Sequence, residues 1–160
     1  MTAAVTARPR PTRRLVLAGL ATAGAGAAGA GIWLYRRRPH FDGAALDPVA
    51  AHDLAARGEI LLVDIRRPDE WRRTGLPQGA VALDMRRADF IAALTDAAGA
   101  DRDAPIALIC AGGVRSARLG RRLTEAGFTN IIDVPEGMQG SGAGPGWLRR
   151  GLPTRTYEET

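Results

Sequence analysis

Short apolar runs of strand length alternate with longer amphipathic stretches along the chain from residue 47 onward. "DPVAAHDLAARG" (47–58) reads as a helix with Asp47 as N-cap, Pro48 in the first turn and Gly58 as the stop. "EILLVDI" (59–65) is an apolar run too short for a core helix, and "RPDEW" restarts a helix at Pro68. A turn-rich loop, "TGLPQGA", leads to a short strand, "VALDM", and then to the amphipathic helix "RRADFIAALTDAAG", with Phe90, Ile91 and Leu94 on its apolar side. "PIALIC", the helix "RSARLGRRLTEAGF" and the strand "NIIDV" complete the series. Strands alternating with helices predict an α/β domain: a parallel β-sheet flanked by helices on both faces. His52 falls inside the first helix and reads as a surface residue rather than a ligand.

The first quarter of the chain has a different pattern. From Leu15 to Tyr35 there are 21 residues without a charge, rich in glycine and alanine and lacking a polar face. That length suffices for an N-terminal hydrophobic helix to cross a bilayer. Arg13 and Arg14 stand just before it, and the "TRRLVL" opening resembles a twin-arginine export signal. The small-residue steps Ala21–Ala23 and Ala28–Ala30 would suit cleavage, whereas "IWLYRRR", with Trp33 and Tyr35 at interface positions, suits an anchor. Four arginines precede the span and three follow it, so charge alone does not orient it. The paired arginines favour a domain outside a bacterial cytoplasmic membrane, membrane-associated or periplasmic. The expected organisation is a signal or transmembrane anchor over 1–38, a linker over 39–43, the α/β domain over 44–156 and a tail over 157–160.

Charge narrows the partners. The formal +5 suggests nucleic acid until the charges are placed: residues 1–38 hold seven arginines and no acid. The remainder sets the other 15 arginines against all 17 acids, a formal balance of about −2. The domain is therefore not basic, and no nucleic-acid partner is expected. One cysteine excludes an internal disulfide, and two histidines, His40 and His52, leave little material for a metal site. No metal and no cofactor is implied.

The single cysteine, Cys110, ends the "PIALIC" run and opens "CAGGVRS". In parallel sheets ligands bind beyond the carboxyl ends of strands, where Cys110 would sit. A loop curling from a strand into the first turn of a helix can aim several backbone N–H groups at one point, to which the helix N-terminus adds partial positive charge. Gly112 and Gly113 permit the positive or crowded backbone angles of such a curl, and Arg115 adds a permanent cation. An anion is favoured at that point, and the thiolate is the nucleophilic form of cysteine.

"CAGGVRS" matches the rhodanese active-site pattern of cysteine, two residues, glycine, one residue, arginine, serine. "GEILLVDIRRPDEWRRTGLPQGAVALDM" resembles the upstream block of that family, and "NIIDVPEGM" with "GWLRRGLPT" resembles its closing segment. The resemblance, over residues 44–156, implies a rhodanese-like fold and sulfur transfer. Cys110 would take the outer sulfur of a small anionic donor such as thiosulfate, hold it as a persulfide and pass it to a thiophilic acceptor, directly or through a partner protein. The amides of Ala111, Gly112, Gly113, Val114, Arg115 and Ser116 would stabilise the persulfide anion. Arg115 would steer the donor or brace the loop, and Ser116 would cap the helix. Asp64 and Arg66 would form a structural pair supporting the loop; Glu70 and Trp71 would cap and pack the short helix, and Trp147 would belong to the core.

Four residues separate Cys110 from Arg115, one fewer than in fold relatives that act on phosphate or arsenate, which favours a sulfur-sized cradle. Three features depart from the family pattern. Ala111 replaces a residue that is often basic or hydrogen-bonding, "GLPQGA" lacks the usual histidine, and "QGSGAGPG" (139–146) is longer than the expected turn. That run would be a flexible surface loop or a lid. A non-catalytic carrier or persulfide-sensing module is the alternative to an enzyme. With no second cysteine to resolve a sulfenic acid, peroxide should inactivate Cys110 irreversibly unless an external thiol or persulfidation intervenes. Full recovery of thiol titre after peroxide without added thiol would contradict this.

Overall fold

The computed structural model describes residues 41–158. The twin-arginine-like segment with the hydrophobic helix expected there, residues 39–40 of the linker and residues 159–160 of the tail lie outside them. Five strands form a parallel sheet: β1 (Ala44–Ala45), β2 (Leu61–Asp64), β4 (Val81–Ala82), β5 (Ile106–Ile109) and β6 (Ile131–Asp133), in the order β1-β6-β5-β2-β4. β3 (Leu76–Pro77) and β7 (Thr154–Arg155) make a separate antiparallel pair. The helices are α1 (Pro48–Ala56), α2 (Pro68–Thr74), α3 (Phe90–Ala97), α4 (Val114–Glu125) and α5 (Gly146–Arg149). Among the described residues no helix is long and apolar enough to cross a membrane.

Side-chain alternation along the central strands divides the core. Val63, Ile65, Ile106, Leu108 and Cys110 pack with Phe90 and Leu94 of α3 and Leu119 and Leu123 of α4. Leu62, Ala107, Ile109 and Ile132 pack with Ala51 of α1 and Trp147 of α5 on the opposite face. This is the period of two expected of strands covered on both faces. β5, at the centre, has no exposed residue. Phe41, placed in the linker by sequence, belongs to the core, and Tyr157, placed in the tail, packs on Trp71 with ring centroids 5.0 Å apart.

Local signals worked where they were backbone-specific. Asp47 accepts hydrogen bonds from Val49 N–H and Ala50 N–H, at 2.8 and 3.0 Å, and α1 ends before Gly58 at φ +70°. Two expectations need correction. Ile91 is 39 % exposed, because in the short α3 the buried side is filled by Phe90 and Leu94, one turn apart. His52 is half-buried with its ring edge-on to Trp147 at 5.6 Å, because α1 turns that side toward α5. Leu123, fully buried between α4 and the sheet, should cost about 2–5 kcal/mol when replaced by alanine. Urea unfolding of Leu123→Ala checks this.

Candidate active site

Cys110 follows the last residue of β5, and the chain then turns through Ala111–Gly113 into α4. Gly113 is the N-cap of α4 at φ +81°, and a Cβ there would collide with the carbonyl of Pro135. The Gly113 N–H donates to Cys110 Sγ at 3.2 Å. Val114, Arg115 and Ser116 occupy the first turn, whose N–H groups an α-helix leaves without intrahelical acceptors. The sulfur thus sits at the positive end of a helix with the loop curled over it.

A second loop forms the other wall. Met138 N–H donates to the Cys110 carbonyl at 2.8 Å and Gln139 N–H to the Ala111 carbonyl at 2.9 Å. Between these strands of backbone lies Gly137 at φ +65°, where a Cβ would come within 2.7 Å of Ala111 and Gly112 backbone atoms. The residue Cys110 is only 1 % exposed. An electrophile must therefore reach the sulfur end-on, presenting its reacting atom at a tip.

Ser116 is not the cap of α4. It lies inside the first turn, where its Oγ donates to the Gly113 carbonyl at 3.1 Å and stands 3.6 Å from Cys110 Sγ. Gly113, in the left-handed conformation, takes the N-cap position without a side chain, and the Ser116 hydroxyl oxygen lies beside the sulfur. A thiol can donate to that oxygen, and a thiolate can accept from it. Of the two glycines expected to take unusual angles, only Gly113 has positive φ; Gly112 faces the Gly140 carbonyl.

Arg115 braces the loop rather than projecting freely into it. Its Nη1 and Nη2 donate to Glu70 Oε2 and Oε1, both at 2.7 Å. Glu70 also accepts from the Arg67 N–H at 3.1 Å, so one carboxylate caps α2 and grips α4. The Arg115 hydrogen bonds hold Glu70 down to about 2 against the opposing effect of burial, with the Arg67 N–H adding to them. Arg115 is raised, chiefly by its hydrogen bonds to Glu70, and the Cys110 sulfur contributes smaller shares through charge and through a side-chain hydrogen bond. Sequence reasoning found the capping role of Glu70 and missed its link to Arg115, because the two are 45 positions apart. The capping-box position of Glu70 was the only local signal.

Asp64 and Arg66 form a buried pair, neither side chain exposed. Arg66 Nε and Nη2 donate to both Asp64 oxygens at 2.7–3.0 Å, while Nη1 reaches Thr74 Oγ1 and Nη2 the Gly75 carbonyl, each at 2.7 Å. The pair clamps the end of α2, not the cysteine loop. Its support for the loop runs through α2 and Glu70, because β2 delivers Arg66 to the C-terminal end of that helix.

The glycine-rich run 139–146 is tied at both ends. Glu136 accepts from Arg150 at 2.6 and 2.9 Å and from Gly146 N–H at 2.8 Å, and Arg149 reaches the Gln139 and Pro145 carbonyls at 3.1 Å. Ser141 spans the run with a hydrogen bond to the Pro135 carbonyl at 2.8 Å. Trp147 is fully buried and donates to the Pro153 carbonyl, which makes it core. Among the described residues no group of three or more His, Cys, Asp or Glu side chains could hold a metal ion.

The family model of the Rhodanese-like domain matches residues 47–142, more than half of the chain and all of the cradle. The chain belongs to the rhodanese-like family. An uncharacterized protein of Rickettsia conorii is 26 % identical over 106 residues, covering 62 % of this chain and 86 % of that protein. The polysulfide-sulfur transferase homodimer from Wolinella succinogenes is 29 % identical with a TM-score of 0.57, covering 74 % of this chain and 82 % of that one. Rv0390 from M. tuberculosis is 28 % identical with a TM-score of 0.56, covering 73 % and 99 %. The rhodanese-like domain here is thus assembled around the loop that the sequence singled out.

The Glu70 pairing carries a sign. A carboxylate ordinarily near 4.5 and held near 2 contributes stability that is fully present above pH 4.5 and lost as pH falls through about 2. The destabilisation caused by Glu70→Gln should therefore be largest above pH 4.5 and shrink toward pH 2. Urea midpoints measured across that window test it, and a pH-independent difference would exclude the carboxylate as its source.

Proposed function

We propose that this rhodanese-like protein is a sulfurtransferase that moves sulfane sulfur, from a donor such as thiosulfate to a thiophilic acceptor, through a persulfide on Cys110. The observation that carries this reading is the position of Cys110 Sγ: at the end of β5, hydrogen-bonded by Gly113 N–H, in front of the first turn of α4. The name of the Wolinella relative, a polysulfide-sulfur transferase, is consistent with it.

In the first half-reaction the Cys110 thiolate attacks the outer sulfur of thiosulfate. The new Cys110 S–S bond forms as the donor S–S bond breaks, and sulfite leaves with the electron pair. In the second, the acceptor nucleophile attacks the outer sulfur of the persulfide, and the Cys110 thiolate is the leaving group. Splitting the transfer this way suits a fixed nucleophile and two exchanging partners. The N–H groups of Ala111–Ser116 are proposed to hold the terminal persulfide anion, as preorganised donors do for other developing anions. Ser116 Oγ, 3.6 Å from Sγ, would turn its one hydroxyl proton from the Gly113 carbonyl to the sulfur when the thiolate forms. Arg115 keeps the first turn of α4 in register with α2. Residues 1–38 are proposed to place the domain at the outer face of a bacterial cytoplasmic membrane, a reading supported by Arg13, Arg14 and the uncharged run that follows them.

Intact mass of the full-length protein, after excess thiosulfate or a hydropersulfide, should show a gain of one sulfur. The gain should be absent in Cys110→Ser and should be discharged by cyanide. No gain in a protein whose thiol still reacts with an alkylating agent would point to a binding module instead.

A further inference from the structure

Most arginines of the domain already have a partner. Arg57, Arg66, Arg86, Arg87 and Arg150 each meet a carboxylate at 2.5–2.7 Å. Arg118, Arg121 and Arg122 of α4 do not: all three are exposed, and none makes a hydrogen bond or ion pair with any described residue. Helical spacing sets them on one side. Arg115, Arg118 and Arg122 stand at i, i+3 and i+7 with Arg121 alongside, on the face turned away from the buried Gly120 and Leu123. Glu125, the acid of α4, lies at its last position and makes no ion pair with any of the three. Arg73, one turn beyond Glu70 on α2, is likewise exposed and unpaired among the described residues. Like charges at i and i+4, as in Arg118 and Arg122, disfavour a helix, and carboxylates laid over them would relieve that repulsion. By helix rise the row runs about 10 Å from Arg115 to Arg122. It starts in the turn that follows Gly113, whose N–H holds Cys110 Sγ.

We propose that this row is a docking surface for an acidic protein that takes sulfur from Cys110: its carboxylates lie along Arg118, Arg121 and Arg122 while its cysteine enters the cradle. The inference rests on the sulfur-transfer reading. Cys110 is 1 % exposed, so a protein acceptor can insert only a slender tip and must be held by contacts outside the cradle. The α4 row provides such contacts beside the mouth, because Arg118 is one turn from Arg115 and Arg122 one turn farther. A small acceptor is too short to bridge the cradle and the row. A membrane surface could cover the row but brings no thiol to the sulfur. In the exchange the partner's thiolate attacks the outer sulfur of the Cys110 persulfide. The new S–S bond forms on the partner as the Cys110 S–S bond breaks, and the Cys110 thiolate leaves with the electron pair. Attraction between the row and an acidic partner speeds encounter and orients the partner, and salt screens it.

The probes are two synthetic peptides of equal length, each with one cysteine, the first flanked by glutamates and the second by glutamines in their place. Full-length protein in a nonionic detergent is loaded with sulfur on Cys110, and discharge by each peptide and by cyanide is followed by intact mass. At about 20 mM salt the acidic peptide should discharge the persulfide about tenfold faster than the amide peptide, and at about 300 mM the ratio should fall to about twofold. Arg118→Gln, Arg121→Gln and Arg122→Gln together should remove most of that preference and leave discharge by cyanide within about twofold. The seven arginines of residues 1–38 are common to wild type and variant, so the difference between the two reports the α4 row alone. Equal rates for the two peptides in the wild type overturn the proposal, as does a preference that the triple variant keeps. A variant that loses binding to phosphatidylglycerol vesicles, or loses a dimer, with its peptide rates unchanged assigns the row to a membrane or to a second copy and also overturns it. A Cys110 that takes up no sulfur overturns the sulfur-transfer reading instead. Fluorescence anisotropy of the labelled acidic peptide then reads the surface by itself: weaker binding to the variant supports a docking surface, and equal binding overturns it.

Discussion

Close packing of two backbone segments is the constraint on which the site depends. The loop leaving β5 and the loop leaving β6 lie so near each other that Gly113 and Gly137 have no room for a Cβ, and both take positive φ. This contact lets Met138 and Gln139 donate to the carbonyls of Cys110 and Ala111. It also points the Gly113 N–H at the sulfur. Were the two loops a side chain farther apart, the N–H groups of the first turn of α4 would face solvent and not a common centre.

Around that contact, charged pairs do the positioning. Asp64 and Arg66 secure the end of α2 from beneath; Glu70 and Arg115 join α2 to α4; Glu136 and Arg150 hold the glycine-rich run against α5. Each pair joins or clamps segments that the sheet leaves unconnected at its carboxyl edge. Pairs of this kind are weak evidence for net stability, since taking two charges from water offsets their attraction. Their value lies in geometry. A bidentate arginine fork admits one arrangement, whereas an apolar contact at the same place would tolerate several. The exposed pairs, such as Arg57 with Glu59, contribute little by comparison.

A basic residue beside a cysteine suggests an attractive field, yet the field of a site is set by all the charges that reach it. In this domain Arg115 is held fork to fork by Glu70 while its charge also reaches the Cys110 sulfur, and the Gly113 N–H with the first turn of α4 adds backbone dipoles held in place by the fold.

By itself the sequence determined those features that depend on neighbours a few positions away. Apolar runs and their spacing placed the central strands and four of the helices, Asp47 and Pro48 marked the start of α1, and glycines beside the single cysteine marked the cradle. Backbone preference and short-range periodicity carry such information directly. β1, with two residues, and the β3–β7 pair carried no periodic signal of their own, since a strand that short exists only through its partner. Only the tertiary structure decided that Ser116 faces the sulfur rather than capping, that Asp64 and Arg66 clamp α2, and that Glu70 balances the charge of Arg115. Each of these is a distance between side chains brought together by the sheet order or by the conformation of a single glycine, and neither composition nor spacing encodes such a distance.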